Sequence, residues 1–328
     1  MITRSDGKYM ALLMFICRIF KEWKMREQII DISGLTKDYG HGRGVFDVSI
    51  KVNEGECYGF LGPNGAGKTT AIRHLMGFSK PEKGTCTIRG KDCWKESAEL
   101  KSMIGYLPGE ISFPSGMTGS KFLKMIMKMR GMQDDRYCRE LLERFELDAD
   151  IDLDQMSLGT RRKLAVVTAF MHDPDILILD EPTSGLDPMM QQIFIDYIAS
   201  EKERGKTILL SSHMFHEVDA TCDRIAVIKD GRIVSEFITE DLRQNHDSIY
   251  RLTFGTRAAF DHFCRLPYQM TVNANALTVR VTIPAADLNT FIKEIAGEDF
   301  IDFIEVPFTL EDYFMGFYKG ERDFEEVR

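Results

Sequence analysis

The residues best equipped for chemistry stand in one run, Gly62-Pro63-Asn64-Gly65-Ala66-Gly67-Lys68-Thr69-Thr70. The run fits the spacing G-x-x-x-x-G-K-[ST] and follows an apolar stretch, Cys57–Leu61. Glycines at 62, 65 and 67 let the backbone curl until several N–H groups aim at one phosphate. A helix over Thr70–Met76 adds the partial positive charge of its N-terminus. Lys68 offers a point charge to β- and γ-phosphates, and Thr69 offers a hydroxyl to Mg²⁺. A glycine-rich turn with a chance lysine explains the composition but not the order strand, loop, helix.

A second pair of reactive groups closes the run Ile176-Leu177-Ile178-Leu179-Asp180-Glu181. Four apolar residues predict a buried strand, and ligands of open α/β sheets bind at the carboxyl ends of such strands. Asp180 suits Mg²⁺, directly or through water, and Glu181 suits accepting a proton from an attacking water or orienting it. Two adjacent acids alone describe a solvated turn equally well. Beside a phosphate loop they become the second half of a nucleotide site.

Such groups need a sheet to hold them. From residue 25 to about 235, apolar β-rich runs at Cys57–Leu61, Ile176–Leu179, Thr207–Leu210 and Ile225–Ile228 alternate with helical periodicity. That alternation predicts a parallel sheet with helices on its faces. Between Leu100 and Gln155, helices at Lys121–Arg130 and Asp135–Phe145 with no strong strand between them predict a helical insertion at about 100–155. Met125, Met127, Met129 and Met132 read as core or partner surface. After residue 240 the pattern changes. Strands at Ile249–Phe254, Tyr268–Val272, Leu277–Ile283 and Phe300–Val306, helices at Arg257–Arg265 and Ala286–Ala296, and a terminal helix from Leu310 are expected. The order β-α-β-β-α-β is the split βαβ, or ferredoxin-like, pattern. The expected domains are an N-terminal extension (1–24), a domain carrying the nucleotide site (25–239) and a C-terminal accessory domain (240–328). The extension reads either as an amphipathic helix or, preferably, as residues ahead of a natural start at Met25.

Composition narrows the partners. The 328 residues include 42 Lys and Arg against 51 Asp and Glu, a net charge of −9. Duplex binding driven by basic surface is therefore not expected, and no nucleic-acid partner is assigned. Cys17, Cys57, Cys86, Cys93, Cys138, Cys222 and Cys264 are scattered without a Cys-x-x-Cys pair, which argues against a zinc cluster or disulfide scaffold. No apolar run approaches the roughly 18–20 residues that span a bilayer, so work at a membrane needs another chain to cross it.

Taken together, these residues resemble the ATPase subunit of an ATP-binding cassette (ABC) transporter. Residues 62–70 resemble Walker A, and 176–181 resemble Walker B with its catalytic glutamate. Ser157-Leu158-Gly159-Thr160-Arg161 resembles the signature L-S-G-G-Q, Ser184-Gly185-Leu186-Asp187 the D-loop, and Ser211-Ser212-His213 the switch histidine. Tyr39 matches the aromatic that stacks on adenine. The segments keep family order across about residues 28–235. The Ser-Leu-Gly signature resembles the drug- and bacteriocin-resistance exporter subunits, as does Thr309–Phe314 near the end.

The resemblance implies a P-loop NTPase (RecA-like) core with an antiparallel β subdomain and helical insertion, plus the small C-terminal α+β domain. It implies ATP and Mg²⁺, a second copy of the chain, and an integral-membrane permease reached from the cytoplasmic face of the cell membrane. Tyr39, residues 62–70, Ser157, Gly159 and Asp187 would contact nucleotide, the last three across a dimer. Glu181 and His213 would be catalytic, and Thr69 and Asp180 would hold the metal. Helical residues and the segment near Phe113–Met117 would meet the permease. One departure stands out. Gly109 occupies the place of a glutamine that senses Mg²⁺ and water, and Glu110 is the expected substitute metal contact. Rival readings are an ABC protein acting on ribosomes or DNA and a regulatory module that does not hydrolyse ATP. A single cassette with an acidic balance opposes the first, and retention of Asp180 and Glu181 the second.

Overall fold

Strand patterning in the computed structural model follows the exposure each sheet face receives. The structure describes residues 27–244, 248–284, 287–297 and 299–306, so the N-terminal extension, the terminal helix from Leu310 and the segment Thr309–Phe314 lie outside it. Contacts divide the chain between Glu236 and Phe237 into two units.

The first unit runs β1 (Gln28–Asp38), β2 (Gly44–Asn53), β3 (Cys57–Leu61), α1 (Lys68–Leu75), β4 (Lys83–Ile88), β5 (Lys91–Asp92), α2 (Ser97–Met103) and β6 (Ile104–Leu107). It continues through α3 (Gly119–Met129), α4 (Arg136–Arg144), α5 (Leu158–Phe170), β7 (Ile176–Asp180), α6 (Pro188–Glu203), β8 (Thr207–Ser212), α7 (Phe215–Thr221), β9 (Arg224–Lys229) and β10 (Arg232–Ile238). β2 alternates buried and less buried positions, as a strand with one covered face must. It pairs antiparallel with β1 in a sheet ordered β2-β1-β4-β5. By contrast β3, β7 and β8 are buried at every position, as central parallel strands are. They lie in the order β10-β9-β3-β8-β7-β6, with β3 parallel to β8 and β9 and β7 parallel to β8 and β6. The carboxyl ends of β3, β7 and β8 therefore open on the same edge, which is where chemistry was expected.

β6 corrects the expected insertion, because a core strand lies inside the stretch 100–155. Only four residues long, it carries Gly105, a poor strand former. That glycine is there for packing: a Cβ would stand 2.4 Å from the Ala169 carbonyl oxygen, so its absence lets α5 approach the sheet. The helical segment proper is α3 and α4. Phe122 and Leu123 of α3 face inward, whereas Met125 and Met129 are exposed, the latter at 76%.

The second unit contains α8 (Thr239–Gln244), β11 (Ser248–Phe254), α9 (Arg257–Phe263), β12 (Gln269–Asn273), β13 (Thr278–Ile283), α10 (Leu288–Ile295) and β14 (Phe300–Val306). Its sheet is ordered β12-β13-β11-β14, every pair antiparallel. One face alternates inward to meet Phe260, Phe263, Phe291 and Ile295 of the two helices, a core of its own. Among the described residues no helix is long and apolar enough to cross a membrane. Cys57, Cys86, Cys93, Cys138 and Cys222 are buried free thiols, and Cys264 is half-buried.

Candidate functional site

The loop between β3 and α1 is shaped from two sides. A Cβ on Gly62 would lie 2.3 Å from the Ile228 carbonyl oxygen of β9, and one on Gly67 (φ +112°) would lie 2.8 Å from Val45 Cγ1 of β2. Only glycine fits such approaches. The Asp230-Gly231 turn joining β9 to β10 completes the clamp. Gly231 N–H donates to the Ala66 carbonyl at 2.9 Å, and Phe46 N–H donates to the Gly231 carbonyl at 2.8 Å. Lys68 is 4% exposed. Its Nζ donates to the Gly62 and Pro63 carbonyls at 2.6 and 3.2 Å and lies 3.0 Å from Glu181 Oε1. A buried ammonium needs such partners.

Asp180 ends β7 fully buried. Ser211 of β8 donates its hydroxyl to Oδ1 at 2.5 Å, while Oδ2 has no hydrogen-bond partner. An orphaned carboxylate oxygen in an oxygen-rich cleft fits Mg²⁺, which takes one or two protein oxygens alongside phosphates and waters. Among the described residues no three His, Cys, Asp or Glu side chains form a metal cage, so this donor set is one to share with a phosphorylated substrate. Glu181 follows in the left-handed region at φ +49°, a conformation costing about 1–3 kcal/mol that recurs at working sites. Its N–H meets the Ser211 carbonyl at 3.0 Å, and its Oε2 lies 2.5 Å from His213 Nδ1. One carboxylate thus bridges Lys68 and His213.

A cleft of about 450 Å³ brings Tyr39, Asn64, Gly65, Lys68, Thr69 and Glu181 together with Glu110. Asp180, Gly109, Ser184 and His213 line the adjoining cleft, which also reaches Thr69 and Glu110. Tyr39 presents an exposed ring with Lys37 Nζ 5.6 Å from its centroid. The expected site residues at 157, 159 and 187 line neither cleft. Ser157 instead caps α5, accepting from Thr160 N–H at 3.1 Å, and Gly159 packs near the Gly185 carbonyl. Asp187 caps α6 through Met190 N–H at 3.0 Å. Both Ser157 and Asp187 are exposed. At Gly109 a Cβ would stand 3.1 Å from Asp180 Oδ2, so any side chain there presses on the carboxylate.

Three residues were not singled out from sequence. Ser211 holds Asp180 and stands two residues before His213. Arg162 is 3% exposed and bonds three main-chain carbonyls, yet between Arg161 and Lys163 it looks like one residue of a solvated basic run. Glu217 is buried, and burial pushes its carboxyl up to about 7 against the lowering effect of the Ser212 hydroxyl 2.5 Å away. Nothing in a single sequence marks it.

Comparison with known proteins gives one family. The description "ABC transporter" matches residues 45–184. The chain is 35% identical over 300 residues to an uncharacterized ABC transporter ATP-binding protein, YcbN, of Bacillus subtilis (strain 168), covering 89% of this chain and 97% of that one. It is 37% identical over 218 residues to the Nod factor export ATP-binding protein I of Paraburkholderia xenovorans (strain LB400), covering 65% and 71%. A solved ATP-binding subunit of an ABC transporter superposes with a TM-score of 0.61 at 27% identity, over 66% of this chain and 92% of that one. A dimeric bacterial ABC transporter cassette shares the fold with a TM-score of 0.58 at 23% identity, over 64% and 99%.

Proposed function

The chain belongs to the ATP-binding subunits of ABC transporters, P-loop NTPases that hydrolyse ATP, and from that premise we propose that it drives export through a separate membrane-spanning permease. The convergence of Lys68, Thr69, Asp180, Glu181 and His213 on adjoining clefts carries the reading. Loop N–H groups and Lys68 hold the β- and γ-phosphates. The Thr69 hydroxyl and Asp180 Oδ2 would hold Mg²⁺, which would neutralise phosphate charge. Glu181 accepts the proton of the attacking water while water oxygen bonds to the γ-phosphorus and the bond to the β,γ-bridging oxygen breaks. His213 fixes the Glu181 carboxylate and faces the γ-phosphate. Tyr39 would stack on adenine, and Glu110 would serve the metal and water in place of a side chain at 109.

Ser157, Gly159 and Asp187 act on the nucleotide of a second copy; this is supported by their place outside both clefts, by the exposure of Ser157 and Asp187, and by the dimeric form of a related cassette. ATP then bridges two protomers, favouring their closed arrangement, and hydrolysis releases it. The permease docks on the helical segment, where Met125 and Met129 are exposed and Phe113 packs edge-on against Phe122 at 5.0 Å between centroids. Export is favoured by relatives named for Nod factor export. The chain would sit peripherally on the cytoplasmic face of the membrane, and nucleic acid is not assigned a part. The second unit is read as ferredoxin-like from its strand order and its β-α-β-β-α-β sequence.

Phosphate release from ATP by the purified chain, with and without Mg²⁺, tests the hydrolysis, and no release above buffer overturns it. Purification from detergent-solubilised membranes tests the partner: a membrane-spanning chain should accompany this one, and ribosomes or DNA in its place would contradict the transport reading.

A further inference from the structure

Arg162 takes no part in the steps above. Its side chain is buried, and a guanidinium is costly to bury without a full set of acceptors. It forms no ion pair among the described residues. Instead Nε donates to the Ser184 carbonyl at 2.9 Å, Nη1 to the Pro108 carbonyl at 3.0 Å and Nη2 to the Gly109 carbonyl at 2.8 Å. One planar fork thereby joins three stretches of chain. Pro108 and Gly109 follow β6 on the way to the helical segment. Ser184 stands three residues beyond Glu181. Arg162 itself sits in the first turns of α5, five residues past Ser157.

Gly109 makes this joint matter. It has no side chain with which to reach the metal or the water, and Asp180 Oδ2 leaves little room for one. Gly109 can report on the site only through its main chain, and Arg162 grips the Pro108 and Gly109 carbonyls on that main chain. We propose that Arg162 is a positioning residue that couples the 108–109 stretch to the Glu181–Ser184 stretch, so that displacement of the helical segment reaches Glu181 through the guanidinium. The inference rests on the ATPase reading above and adds the route by which docking on the helical segment alters hydrolysis.

Arg162→Lys keeps the charge and the aliphatic stem but loses the rigid fork, since one ammonium cannot meet three carbonyls in these directions. Arg162→Gln, neutral with a planar amide, serves as a second variant. Steady-state hydrolysis is measured on the full chain, with hydrogen exchange followed at 106–111 and 182–187 and wild type and Glu181→Gln alongside. The expected result is a fall in kcat of about ten-fold or more with KM for ATP within about two-fold. Exchange should rise at both stretches together. An unchanged kcat, an equal loss of kcat and ATP affinity, or faster exchange at one stretch alone would overturn the coupling. If wild type itself releases no phosphate above buffer, the ATPase reading fails, whatever Arg162 does; if Glu181→Gln hydrolyses ATP like wild type, the coupling has no end point and is overturned.

Discussion

Glu181→Gln should bind ATP nearly as wild type does yet lose turnover by about a hundred-fold or more, the usual worth of a positioned general base. Equilibrium binding and phosphate release on the same preparation check this, and turnover near the wild-type rate would remove Glu181 from the mechanism. Lys68→Ala should weaken ATP binding by about ten-fold or more, because a charge-assisted contact is worth roughly 1.5–3 kcal/mol. Unaltered affinity would refute the phosphate-loop assignment. Glu110→Ala should slow turnover if Glu110 stands in for the missing amide, and an unchanged rate would discard that role. At this scale the sequence is explicit wherever chemistry demands fixed spacing. The loop at 62–70 and the acids at 180–181 are legible because a phosphate cradle and a strand-end carboxylate tolerate few arrangements. Arg162 and Glu217 are illegible because their importance lies in burial, which composition does not reveal.

Elements carry a second layer of function. Ser157 caps α5 with the same hydroxyl that the dimer reading points at phosphate. Ser157→Ala should therefore cost about 1 kcal/mol of stability as well as turnover, whereas Ser157→Asp should restore the cap and still fail in turnover. Melting temperature and phosphate release separate the two roles, and recovery of both by aspartate would leave Ser157 as a cap alone. On α7, Glu217 has its carboxyl raised from an ordinary 4.5 to about 7, chiefly by burial. A raised acid binds its proton more tightly when folded. The stability it lends is complete below about 4.5, declines above that and is gone once the pH passes about 7, a span worth roughly 3 kcal/mol. Glu217→Gln should flatten the fall of melting temperature between pH 5 and 8, and an unchanged slope would refute this. Elements were legible in proportion to their regularity. Continuous apolar runs announced β3, β7 and β8, while four-residue β6, interrupted by the glycine that admits α5, was hidden in a stretch expected to be helical.

For the whole molecule, the change of pattern near residue 240 reflects a second unit with a hydrophobic core of its own. Phe291 is fully buried in the second. Phe291→Ala should cost about 3–5 kcal/mol there, and calorimetry should show one transition moving while another holds. A uniform shift of all heat uptake would mean that the two units melt as one.

The clamp of Gly231 on the phosphate loop has a further consequence, for biosynthesis. The chain is made from its N-terminus, and the Walker loop emerges long before the turn that holds it. Until Gly231 has cleared the ribosome, the Ala66 carbonyl lacks the Gly231 N–H and Phe46 lacks its tether. A nascent chain therefore carries the whole nucleotide motif without the grip that shapes it, and competence for ATP arrives late in translation, just as the second unit begins to appear.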